Sequence, residues 1–276
     1  MRRSPIAGSW YPDDPTELRE MVVAMLARAE ADALAAQPRA LIAPHAGIQF
    51  SGQAAACAFS TLQGRSIDRV VLLGPSHYQA FQGLAVSAVD GYETPLGVVP
   101  VDQDAAARLR RHPQCSGPAD AEIPEHSLEM QLPFLQTVLG DFTLLPLVVG
   151  DVGADACRSI ADVLRPFISD TTVVVASSDF THYGRRFGYV PFHDEIRANL
   201  KRLDGGAIDL ILQRDLVGLF AYVERTGATI CGIRPIGILL ALLPQTATGR
   251  MLAYYTSGDI MHDYTDVVSY AAIGFC

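Results

Sequence analysis

No basic stripe runs along this chain. Its 276 residues hold 21 lysines and arginines against 30 aspartates and glutamates, a formal net charge of −9. The arginine pairs Arg2 and Arg3, Arg110 and Arg111, Arg185 and Arg186 are scattered. Clustered cations hold a polyanion, so nucleic acid is not an expected partner. Long apolar runs are missing too. The stretch 238–243 is far below membrane-spanning length, and the N-terminus MRRSPIAGSWYPDD has two arginines but no apolar segment behind them. A cytoplasmic protein without a membrane partner is the expectation. There is no Cys-x-x-Cys pair. The five cysteines, Cys57, Cys115, Cys157, Cys231 and Cys276, are odd in number and widely spaced, which speaks against a disulfide framework or a zinc ribbon. Nor is there a low-complexity linker, a charge block or a repeat of fixed period, so residues 1–276 read as a single domain. With 49% hydrophobic residues the chain can bury a sizeable core.

What is present is a repeated grammar. Residues 172–176 (TVVVA) are apolar and β-branched without alternation, as in a strand covered on both faces, and the chain then releases Ser177, Ser178, Asp179 and His182. Residues 40–45 (ALIAPH) and 70–77 (VVLLGPSH) are likewise apolar runs ending in Pro or Gly-Pro and then a histidine. In open α/β sheets ligands bind beyond the carboxyl ends of the strands, so three such ends imply one convergent site.

Around these runs the pattern predicts a helix over 14–36 with Pro15 in its first turn, a turn over 47–52, and a helix over 53–62. A strand over 84–89, a hairpin over 92–101 and a helix over 102–111 capped by Asp102 follow. An amphipathic helix over 124–139, kinked at Pro133, would place His126 and Glu129 on one face. Further on come a strand at 144–149, helices at 154–167, 194–203 and 209–225, a short strand at 228–231, and a helix from Pro235 to 243. Two closing strands, 251–256 and 267–275, pair antiparallel. This alternation predicts an α/β fold with a mixed central sheet flanked by helices.

Imidazoles at rigid strand ends suit iron, copper or zinc, and two of them with one anion leave open positions on the ion. Two residues compete to be the anion. Asp179 lies close to His182, and Cys231 precedes a helix whose N-terminus would favour a thiolate. His126 and Glu129 read as a helix-borne pair at a cleft, with Glu125 beside them. Trp10, the single tryptophan, either pins a terminal arm or lines a pocket.

The stretches AGSWYPDDP, APHAGIQFSG, LLGPSHY, ETPLGVVPVD, EHSLEMQLPFL, SSDFTHYG, ICGIRPIG and YTSGD resemble, in order and over nearly the whole length, the Memo family. That resemblance implies a fold like the class III extradiol ring-cleaving dioxygenases. It implies His45, His77 and Cys231 as ligands of one metal ion, with iron(II) ahead of copper or zinc. It also makes His182 an acid/base and Trp10 an aromatic next to the pocket, and Asp179 is expected to hold His182 or the metal's water. His126 and Glu129 are added as substrate-binding residues. A thiolate in place of the dioxygenases' carboxylate is softer and can itself be oxidised. Three functions follow. One is redox or dioxygenase-like turnover of a small molecule. Another is binding of a peptide or phosphopeptide without turnover, with Arg185, Arg186 or Arg234 as counter-charge. The third is zinc-dependent hydrolysis.

Overall fold

The computed structural model describes residues 1–29, 34 and 36–276. Ten strands are present among them: β1 (Ala40–Ala43), β2 (Arg69–Pro75), β3 (Leu84–Val86), β4 (Gly91–Thr94), β5 (Gly97–Pro100), β6 (Thr143–Val149), β7 (Thr172–Ser177), β8 (His182–Tyr183), β9 (Gly249–Thr256) and β10 (Val267–Phe275). The α-helices are α1 (Pro15–Ala27), α2 (Ile48–Phe59), α3 (Gln103–Leu109), α4 (Leu132–Val138), α5 (Ala154–Leu164), α6 (Ile196–Leu212), α7 (Leu216–Thr226), α8 (Ile233–Leu242) and α9 (Ser257–Met261).

One eight-stranded sheet runs in the order β3-β6-β2-β7-β1-β10-β8, with β9 on the other side of β10. Strands β6, β2, β7 and β1 are mutually parallel, while β3, β10 and β9 join antiparallel, so the sheet is mixed. Every residue of β1 and β7 is buried. Helices cover both faces: α2 packs with α1 and α4, and α8 with α5 and α7. This is why the β1 and β7 sequences are apolar without alternation. Helix α8 (IRPIGILLAL) is apolar nearly all round because it lies between β7 and α5. The order places β2, β7 and β1 side by side, so the carboxyl ends leading to His77, Asp179 and His45 open at one edge of the sheet.

Local chemistry explains where the elements differ from the sequence pattern. Asp14 caps α1 by accepting from the Thr16 and Glu17 N–H groups, and α1 ends at Ala27. The remainder of the expected helix includes residues 30–33 and 35, which lie outside the described residues. Helix α2 starts at Ile48, not after a turn ending at Gly52, since Gly52 serves close packing there: a Cβ would come within 2.7 Å of Met25 Sδ. The expected helix over 124–139 begins only at Leu132, after a short 3-10 turn. Pro133 therefore sits in its first turn, where its missing N–H costs nothing, and no kink arises. No strand forms at 228–231. That segment is held through the Thr229 side chain, whose Oγ1 accepts the His182 N–H at 2.8 Å and donates to the His182 carbonyl at 2.9 Å.

Candidate metal centre

His45 follows β1 by two residues and is 1% exposed. Its backbone N–H donates to Asp179 Oδ1 at 2.8 Å, which ties the β1 end to the β7 end. Its ring Nδ1 lies 2.8 Å from Ser177 Oγ. That hydroxyl already donates its hydrogen to the Ser127 carbonyl at 2.6 Å, so toward His45 it accepts, and Nδ1 carries the proton. The lone pair is then on Nε2. Gln131 locks the same corner, its Nε2 donating to the Pro44 carbonyl at 3.0 Å and to Ser177 Oγ at 2.8 Å.

His77, two residues beyond β2, stands nearer solvent. Its ring Nδ1 lies 2.8 Å from Glu125 Oε1 and its backbone N–H donates to Glu125 Oε2 at 2.8 Å. His126 is buried, with its ring centroid 4.5 Å from that of His77 and 5.4 Å from that of His45. One ring nitrogen from each of His45, His77 and His126 can be chosen so that all lie within 4.8 Å of one another, an arrangement able to hold a metal ion. Burial and the neighbouring imidazoles keep His45 neutral, well below its ordinary value, and push His126 down to about 3. Neutral rings are the metal-binding form.

Cys231 is outside this set of three and meets it at His45, its Sγ 3.3 Å from His45 Nε2. Nitrogen and sulfur ligands on one tetrahedral ion, at roughly 2.0 and 2.3 Å from it, stand about 3.5 Å apart, so this pair fits a shared ion. The expectation that the N-terminus of α8 favours a thiolate is outweighed in the protein alone. Burial and the Asp179 charge push the thiol up, against the Asp179 and Gly232 N–H groups.

Asp179 itself is buried, and burial raises its pKa against the charge of His182 and the His45 N–H bond. It does not hold the His182 ring. That ring's Nδ1 lies 3.0 Å from the Phe180 carbonyl and 3.1 Å from the Thr229 carbonyl, acceptors that fix the proton on Nδ1 and leave Nε2 as the basic nitrogen. The rings of His45, His77, His126 and His182 line one cleft of about 520 Å³ together with Trp10, Phe50, Asp179, Arg186, Phe187 and Tyr270. Trp10 lies 4.3 Å, centroid to centroid, from His126.

Glu129 is a correction. It is fully buried outside the cleft lining, where its carboxylate takes Arg2 Nη1 at 2.5 Å, Tyr11 O–H at 2.5 Å and the Ser4 hydroxyl. It pins the N-terminal arm and has no oxygen left for a substrate. Of the arginines considered as counter-charges, Arg186 lines the cleft, whereas Arg234 is paired with Asp151. Sequence reasoning placed Glu125 at the cleft beside His126 without giving it a role, and missed Gln131 as a support of the site. The one available signal was that Glu125 adjoins His126, while nothing in the pattern links residue 131 to Pro44.

Fold and site together define an α/β protein with a histidine-lined cleft at the carboxyl ends of parallel strands. The fold is shared with the crystal structure of an uncharacterized protein from Escherichia coli K12, at a TM-score of 0.55 and 14% identity over 85% of this chain and 98% of that one. The chain belongs to the Memo family, whose model, described as Memo-like protein, matches residues 2–274. Relatives include a MEMO1 family protein of Methanopyrus kandleri, 34% identical over 100% of this chain and 99% of its own. Human Protein MEMO1 is 31% identical over 98% of this chain and 96% of its own. Among the described residues, no helix is long and apolar enough to cross a membrane.

Proposed function

We propose that the cleft binds one metal ion, iron(II) before copper or zinc, and carries dioxygenase-like redox chemistry on a small molecule. His45 and His77 are the fixed ligands, with His126 and Cys231 as the further donors. The observation supporting this reading is the paired constraint on His45 and His77. Each has Nδ1 engaged by a neighbour, Ser177 or Glu125, which leaves Nε2 to face an ion. Iron or copper would supply the redox steps and polarise a substrate oxygen. The chain's own groups do the rest. His182 takes or returns a proton at Nε2, held by the Phe180 and Thr229 carbonyls, and the Trp10, Phe50 and Phe187 rings exclude water from one side of the substrate.

Elemental analysis of protein purified without oxygen tests the metal claim. One ion per chain is expected, and metal content unchanged in both His45→Ala and Cys231→Ala overturns it. Oxygen uptake against a panel of phenols and thiols then tests the redox chemistry.

A second reading has its own observation. Arg186 is the arginine on the cleft wall, and its guanidinium stands 5.8 Å from the centre of the Phe187 ring. Cation and ring together suit an anionic aromatic group, such as that of a phosphopeptide, bound without turnover. Calorimetric titration with phosphotyrosine peptide, with Arg186→Ala as the comparison, separates this reading from the first.

A further inference from the structure

Glu125 is fully buried, yet among the described residues no lysine or arginine side chain is paired with it. Its carboxylate is used as an acceptor on every side. Oε2 takes the His77 backbone N–H at 2.8 Å, and Oε1 takes the His77 ring Nδ1 at 2.8 Å and the Ser127 backbone N–H at 3.0 Å. The same Oε1 lies 3.5 Å from His126 Nδ1. One side chain thus touches the main chain and the ring of one proposed ligand while standing beside the ring of another. The segment carrying Glu125 is itself anchored, because Arg2 Nη2 donates to the Glu125 carbonyl at 2.5 Å and Arg2 Nη1 to Glu129 at 2.5 Å.

From this geometry we infer that Glu125 is the positioning residue of the metal centre. It holds the proton of His77 on Nδ1, directs the Nε2 lone pair into the cleft, and sets the spacing between His77 and His126. The inference rests on the metal reading above and adds to it a residue that does not itself touch the ion. The physical reason is tautomer control: an imidazole whose Nδ1–H is given to a carboxylate is both oriented and made a stronger donor at its other nitrogen. A glutamine in this place has the same shape but only one acceptor oxygen. Whichever way its amide turns, its NH2 group faces a backbone N–H, that of His77 in one orientation and that of Ser127 in the other; in the second it also faces His77 Nδ1 and would move that proton to Nε2, so the tautomer is no longer fixed.

The test compares wild type with Glu125→Gln. Zinc(II) affinity is measured by competition with a chromophoric chelator, and the His77 tautomer is read in the apo protein by long-range proton–nitrogen NMR. We expect about a 10- to 100-fold loss of affinity and a shift of His77 from the Nδ1–H form to a mixture. Glu129→Gln, which disturbs the same segment without touching a ligand, serves as comparison and should leave the His77 signals in place. If Glu125→Gln is too unstable, Glu125→Asp, too short to span both His77 donors, is read in the same way. Wild-type affinity and tautomer in a folded Glu125 variant overturn the inference. Failure of wild type itself to bind zinc(II), iron(II) or copper would overturn the metal reading, and this inference with it.

Discussion

At the scale of single residues, the molecule spends buried polar groups in two different ways. The Arg2–Glu129 pair, with side chains 2% and 0% exposed, holds the arm. Removing one partner strands a charge, so Glu129→Gln should cost about 3–5 kcal/mol in urea unfolding, where a loss below about 1 kcal/mol would contradict the pinning role. The imidazoles of His45 and His126 work in the opposite direction, being buried neutral. Their folded values lie below the ordinary 6.5, so the unfolded chain binds protons that the folded one refuses. Their stabilising contribution is complete above pH 6.5 and declines as pH falls toward the folded value, about 3 for His126. The urea midpoint of the apo protein should accordingly fall between pH 6.5 and 4, and His126→Gln should flatten that slope; a variant with the wild-type slope would contradict the assignment.

Elements meet the site at their ends, and the tightest junction joins β7 to α8. A Cβ on Gly232 would come within 2.3 Å of Ser178 Cβ and 2.5 Å of the Ser177 carbonyl, because the N-terminus of α8 is pressed against the β7 end. Only a glycine allows that approach, and it brings Cys231 to His45. Gly232→Ala should therefore destabilise the fold by about 1–3 kcal/mol and lower metal affinity through Cys231. Thermal unfolding with and without zinc(II) measures both, and an unchanged zinc(II) shift would mean that Cys231 is not positioned by this contact. The elements most legible in the sequence were those with one dominant signal: the unbroken apolar β7, the Pro15 start of α1, and the closing antiparallel strands. Residues 124–139 were misread because the apolar spacing continues through a stretch whose side chains are committed to tertiary partners: Glu125 to His77, Ser127 to Pro75, and Glu129 to Arg2.

For the whole molecule, the decisive fact is that the arm at residues 1–14 returns to the strand ends. The Ile48 N–H donates to the Trp10 carbonyl at 2.9 Å, which sets the only tryptophan against His126. Fluorescence of Trp10 should then be quenched by copper(II), saturating at one equivalent in wild type and not in His77→Ala. Equal quenching in the two proteins would place the copper elsewhere.

Periodicity and composition alone determined the α/β class, the mixed sheet, and the rule that histidines stand where apolar strands stop, since these follow from which short stretches can be buried on both faces. Which side chains share a point in space was decided only by the tertiary structure. Strand order set β2, β7 and β1 next to one another, and the packing of the segment around residue 125 brought in His126 and Glu125 while turning Glu129 away. Pattern along a chain records burial, whereas the meeting of residues dozens of positions apart depends on how the buried pieces stack.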